Sequence, residues 1–343
     1  MDALNPIAET DVVIVGAGPV GLFGVFQCGM LNMRCAVVDR LDALGGQCAA
    51  LYPDKPIYDI PAYPRISGGE LVGQLARQAA PFGARYYLGQ AVTKLEPSAS
   101  GGFVVHLSTG KRLATRAVII AGGGGVMEPI RPPLDGIEGY EGRHVFYKVE
   151  HADDFRGRRV VIAGGGDSAV DWANALTGIA AEIFVVHRRT RFRAAPASVA
   201  QMARAVERGQ VRLVAPFQLE GLVGNGMELR GVVVAGEDGA KQTLHADALL
   251  ALFGLATNLG PIATWGLRLK DRQIEVTPGS FETSMPGVYA VGDIARYAGK
   301  LKLILTGFAE VAMAAHALYP RVHPGQPLHF EHSTTKGVPY VAA

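Results

Sequence analysis

The sequence predicts an α/β protein of two Rossmann-like domains, each a three-layer ββα sandwich. Three observations carry this. A strand, a glycine-rich turn, a helix and a second strand follow one another in DVVIVGAGPVGLFGVFQCGMLNMRCAVVDR, residues 11–40. The same order returns in RRVVIAGGGDSAVDWANALTGIAAEIFVVHRR, residues 158–189. The chain has 343 residues, nearly half of them apolar, which suits about two domains with ample cores.

In the first copy VVIVG is a β-branched strand, and Gly16, Gly18 and Gly21 follow as G-x-G-x-x-G. One glycine makes the tight turn, one lets a pyrophosphate touch the backbone, and one lets the helix pack close to the strand. The helix start offers free N–H groups and a positive dipole end to the phosphates. The strand CAVV then ends at Asp39, an acid placed to accept ribose hydroxyls. Further on, SASGGFVVHLSTGKR reads as a β-hairpin, and RAVIIAGGGG (116–125) as another buried strand.

The second copy carries Gly164, Gly166 and Ala169, with Asp167 and Ser168 opening its helix. His187 stands 21 residues after Gly166, as Asp39 does after Gly18. At this ribose tip the acid is replaced by HRRTRFR, with His187, Arg188, Arg189 and Arg193. An acid would repel a 2′-phosphate, whereas arginines bind it through charge-assisted, often bidentate hydrogen bonds. The second copy therefore reads as an NADP(H) site and the first as a site for a dinucleotide without that phosphate. NADPH delivers a hydride, so its partner must accept two electrons, which points to FAD in the first site. Near the C-terminus, MPGVYAVGD ends a strand at Asp293, a second flavin signal.

The expected organisation is discontinuous. Residues 1–125 and 258–343 form an FAD-binding domain, and 126–257 an inserted NADP(H)-binding domain. GGGGVMEPIRPP and GLATNLGP are Gly/Pro-rich crossings between them. A formal net charge of +2 argues against nucleic-acid or membrane-surface binding. No apolar run is long enough to span a bilayer, and the acidic start MDALNPIAETD does not read as a signal peptide. Three cysteines, Cys28, Cys35 and Cys48, fit reduced thiols in a cytoplasmic setting. No metal site is expected.

By these motifs the chain resembles the thioredoxin-reductase-like flavoproteins, some of which pass electrons through a redox disulfide. GGQC puts Cys48 where glutathione-reductase-like enzymes have their first redox cysteine, but the slot five residues on is Pro53. FYKVEHADDFRGRRVV, where thioredoxin reductases carry their pair, has no cysteine. Cys28 and Cys35 read as small core residues and Cys48 as an inert thiol. Electrons are then expected to leave the flavin for an external carrier. A reductase of external disulfides, an oxidase using O2, and a nucleotide-binding redox sensor are the alternatives.

LYPDKPIYDIPAYPRISGGELVGQL (51–75), GGGDSAVDWA, HRRTRFRA, KLKLILTGFAE and the tail HSTT together resemble the bacterial thioredoxin-reductase-type ferredoxin–NADP+ reductases. That resemblance implies a homodimer that uses NADPH to reduce ferredoxin or flavodoxin. It places Asp39 on the adenosine ribose and Gln47, Tyr52, Val92, Met127, Asp293 and Thr334 on FAD-contacting slots. Tyr52 would stack on one flavin face and His332 on the other, so the tail would have to move, or the lobes rotate, before hydride transfer. Ferredoxins are usually acidic, so Lys300, Lys302 and Lys336 are candidate docking residues.

Overall fold

The computed structural model describes residues 7–99, 101–149, 151–329 and 332–338, without the side chains of Met127, Thr257 and Lys336. The contacts expected of the Met127 and Lys336 side chains thus lie outside the described residues. The chain divides into two compact units, Met1–Val126 with Thr257–Ala343, and Met127–Ala256.

The first unit is built on a parallel sheet. Its strand order is Val288–Ala290, Ala117–Ile120, Val12–Val15, Cys35–Val38, Arg85–Tyr87. Both faces are covered, so the central strands read as unbroken apolar runs. The two-residue period of a strand decides which layer each side chain joins. Val12, Ile14, Val37 and Ile119 pack with Val25, Cys28, Val311 and Ala314 of the helices Pro19–Met30 and Ile304–Val322. Val13, Val38, Val118 and Ile120 meet Leu95, Phe103, Val105 and Leu113 of an antiparallel sheet. The expected hairpin is part of that second sheet, where Phe103–Leu107 pairs antiparallel with Arg112–Thr115.

The second unit repeats the plan. Its parallel sheet runs Val145–Phe146, Ala248–Ala251, Arg159–Ala163, Glu182–Val186, Arg212–Val214. Val160, Ile162, Val185 and Leu250 pack with Val170 and Ala173 of helix Asp167–Ala175 and Met202 of helix Pro196–Glu207. Val161, Ala163, Phe184 and Leu249 meet Val232, Val234 and Leu244 of a three-stranded antiparallel sheet. Both units are thus helix, parallel sheet and antiparallel sheet in layers, the fold class read from the sequence.

The two sheets are also pinned alike at the ends away from their glycine turns. Asp11 takes Arg34 N–H at 2.8 Å and the Arg34 guanidinium at 3.1 and 3.0 Å. Asp247 takes Arg159 N–H at 2.9 Å and its guanidinium at 3.0 and 2.6 Å.

Candidate dinucleotide sites

In each unit the glycine turn sits where the central strand gives way to its helix, and each glycine has a separate reason to lack a side chain. A Cβ on Gly16, whose φ is +113°, would overlap the carbonyl oxygen of Ala121. A Cβ on Gly21 would overlap the Gly16 carbonyl. A Cβ on Gly18 would meet nothing within 4 Å. The second turn matches: Gly164 lies against Leu252 O and the Ala169 methyl, while Gly166 faces open space. The outer positions serve the fold, and the middle glycine leaves room for a ligand's phosphates.

Asp39 ends the first unit's second strand and turns back onto this loop. Its Oδ2 accepts Ala17 N–H at 2.6 Å and its Oδ1 accepts Leu41 N–H at 2.8 Å. Burial pushes its pKa up, and the two N–H groups oppose that shift. Each oxygen keeps a lone pair for a ribose hydroxyl. The next turn closes in as well: Gly45 N donates to Ala17 O at 2.9 Å, and Gly46 stands against Gly18. This delivers Gln47, whose side-chain amide lies beside Gly123.

Cys48 is buried, and its thiol donates to Tyr52 Oη at 3.5 Å. Burial pushes both the thiol and the phenol up, and the nearby Asp293 adds to both shifts, so both are neutral at pH 7. Gln47, Tyr52 and Asp293 thus share one region. Val92 buries its side chain in the core, which leaves its main chain for any nucleotide contact. His332 and Thr334 are exposed, at and inside the short helix Ser333–Lys336.

Lys302 is exposed, as a docking residue should be, but Lys300 is not. Its side chain is 5% exposed and ion-paired with Glu310, so its charge does not reach the surface where an acidic partner would dock. The reason is tertiary: Glu310 is buried in the helix Ile304–Val322 and requires a cation. Sequence reasoning missed Glu310, along with Tyr297 and Gln273, which bond to it or to the Gly292–Asp293 turn. The available signal was a lone acid in the apolar stretch ILTGFAEVAMAAHAL.

In the second unit HRRTRFR folds back over its glycine turn. Arg193 N donates to Gly165 O at 2.7 Å, and the His187 ring lies over Gly165, where a Cβ would collide with it. Phe192 packs on that ring at 5.0 Å between centroids. Burial holds the His187 pKa below its usual value, and Arg188, Arg189 and Arg193 deepen that shift. All three arginines are exposed and have no acidic partner among the described residues. Ser168 is exposed in the helix's first turn. Asp167 has a structural task, since its Oδ1 accepts Ala195 N–H at 2.8 Å and so anchors the far end of the arginine loop.

A family model described as pyridine nucleotide-disulphide oxidoreductase matches residues 10–317. The chain belongs to that family. A ferredoxin–NADP reductase of Paramagnetospirillum magneticum is 56% identical over 331 residues, covering 96% of this chain and 98% of that one. One from Acidiphilium cryptum is 57% identical over 334 residues, covering 97% and 98%. Among solved structures, the FR conformation of Lactococcus lactis thioredoxin reductase is similar with a TM-score of 0.67 at 25% identity, covering 92% and 99%. A bacillithiol disulfide reductase from Staphylococcus aureus shares the fold, with a TM-score of 0.71 at 16% identity over 91% and 98%.

Set beside the family's name, the sulfurs of this chain are informative. All three cysteines are free. Cys28 and Cys35 lie side by side in the helix-facing core of the first unit, and their mutual hydrogen bond, with burial behind it, pushes the Cys35 thiol up. Cys48 beside Tyr52 is the remaining thiol, and among the described residues no other cysteine pairs with it.

Proposed function

We propose that the chain is an FAD-dependent ferredoxin–NADP+ reductase working without a redox disulfide. The observation that carries this reading is the contrast between two matched glycine turns. One ends in a carboxylate bonded to its own loop, the other in exposed arginines with no acidic partner among the described residues. FAD suits the first and the 2′-phosphate of NADP(H) the second. The names of the relatives support ferredoxin as the acceptor.

In this reading Gly16, Gly18, Gly21 and Asp39 hold the adenosine and pyrophosphate of FAD. Gln47, Tyr52, Val92, Met127, Asp293 and Thr334 contact FAD, and Tyr52 and His332 cover the two ring faces and exclude water. Gly164, Gly166, Ser168 and Ala169 hold the pyrophosphate of NADPH, and His187, Arg188, Arg189 and Arg193 its 2′-phosphate. Asp167 contributes by fixing the arginine loop. Bound FAD would supply the conversion between one hydride and two single electrons, so one NADPH reduces two ferredoxins and releases one proton. No side chain need act as an acid or base, because hydride transfer depends on positioning. Flavodoxin is a second acceptor of the same kind. A cytoplasmic homodimer is part of the proposal; among the described residues no helix is long and apolar enough to cross a membrane.

The test is to supply purified protein and NADPH with ferredoxin, flavodoxin, thioredoxin plus a disulfide substrate, or oxygen alone. Ferredoxin should be reduced fastest. Faster reduction of thioredoxin, or NADPH binding without flavin reduction, overturns the reading. Sedimentation at the mass of a single chain would remove the homodimer.

A further inference from the structure

The Gly292–Asp293 turn is held more firmly than its packing requires. Glu310, 1% exposed, accepts Gly292 N–H at 2.7 Å on Oε2. Its Oε1 accepts Tyr297 O–H at 2.7 Å and pairs with the buried Lys300 ammonium. The Gln273 side-chain amide donates to Asp293 O at 2.6 Å and to Ala295 O at 3.2 Å. Phe281 packs edge-on against Tyr297 at 5.6 Å while holding φ at +59°, a conformation that a bulky residue keeps only when its surroundings force it.

Stability alone does not account for this. A buried ion pair is commonly no better than apolar groups of similar volume, because desolvating both charges offsets their attraction. What the network does achieve is to fix a turn whose own side chain is left over. The Asp293 carboxylate is half-buried and has no hydrogen-bond or ion-pair partner among the described residues. A carboxylate held by its backbone and left unpartnered at its oxygens is prepared for a ligand.

We propose that Glu310 is a positioning residue: by holding Gly292 N–H it fixes the turn that presents Asp293 to the flavin end of FAD. This rests on the FAD reading above. Glu310 touches no part of the cofactor in this proposal, so its effect should be separable from that of the ion pair.

Two variants separate the roles, read by FAD affinity of the apoprotein (quenching of flavin fluorescence) and by Tm. Glu310→Gln keeps an acceptor for Gly292 N–H but strands the Lys300 charge. It should lower Tm and bind FAD nearly as the wild type does. Glu310→Leu combined with Lys300→Met removes both charges and the acceptor. With no charge left unpaired, and only the Gly292 N–H and Tyr297 O–H stranded, its Tm should fall no further than that of Glu310→Gln, while its Kd for FAD rises by about ten-fold or more. NADP+ affinity should be unchanged in both. If FAD affinity simply follows Tm across the two variants, the network is structural and the proposal is overturned. A wild-type chain that binds no FAD would instead remove the underlying reading, and that is seen before any variant is made.

Discussion

At the scale of single residues, the two middle glycines make the sharpest prediction. Gly18 and Gly166 have φ of −70° and −96° and open space where a Cβ would go, so alanine fits the empty chain at either position. Gly18→Ala should leave Tm nearly unchanged and weaken FAD retention, whereas Gly21→Ala should destabilise the unit by driving a methyl into the Gly16 carbonyl. Equal loss of Tm in both would refute the assignment of the open space to phosphate. Arg188→Ala should raise KM for NADPH about ten-fold or more, the loss of a charged hydrogen bond worth ~1.5–3 kcal/mol, and leave KM for NADH nearly unchanged. These positions were legible in the sequence because strand, turn and helix fix them at short, regular spacing. The task of Asp167 was not, since its partner Ala195 lies 28 residues away and is brought near only by the folded loop.

At the scale of elements, the arginine loop is more than a carrier of charge. His187 is held between Gly165 and Phe192, and its ring nitrogen Nε2 lies 3.2 Å from Arg191 O, so one aromatic pair orders the loop. Phe192→Ala should therefore raise KM for NADPH several-fold with every arginine still present. Steady-state kinetics with NADPH and NADH check this, and an effect of the same size on NADH would mean that the glycine turn itself was disturbed. The sequence marked this segment by its charge and gave no hint of its internal packing. The long helix Ile304–Val322 likewise holds Glu310 in an otherwise apolar stretch, and nothing in the sequence shows what that acid meets. The period of a helix tells which face is apolar, not which buried group will meet a polar turn from another segment.

At the scale of the whole molecule, each parallel sheet carries an Asp–Arg pin at the end away from its glycine turn, though between different strands: Val12–Val15 and Cys35–Val38 in the first unit, Arg159–Ala163 and Ala248–Ala251 in the second. Burial pushes the Asp11 carboxyl up, but Arg34 more than offsets this and leaves its pKa below the usual value. Arg159 does the same for Asp247, chiefly through its guanidinium hydrogen bonds. An acid whose pKa is depressed by folding contributes stability that is present above its unfolded value, near 3.8, and is lost as pH falls through the folded value. The pairs are partly solvated, so each should contribute only about 1 kcal/mol near neutral pH. Asp11→Asn and Asp247→Asn should each lower the unfolding midpoint in urea at pH 7, and the deficit against wild type should shrink as pH is lowered past 3.8. The two substitutions lie in different compact units and share no partner, so their effects should add in the double variant. A deficit that persists unchanged in acid would mean that the aspartates act by packing rather than by charge.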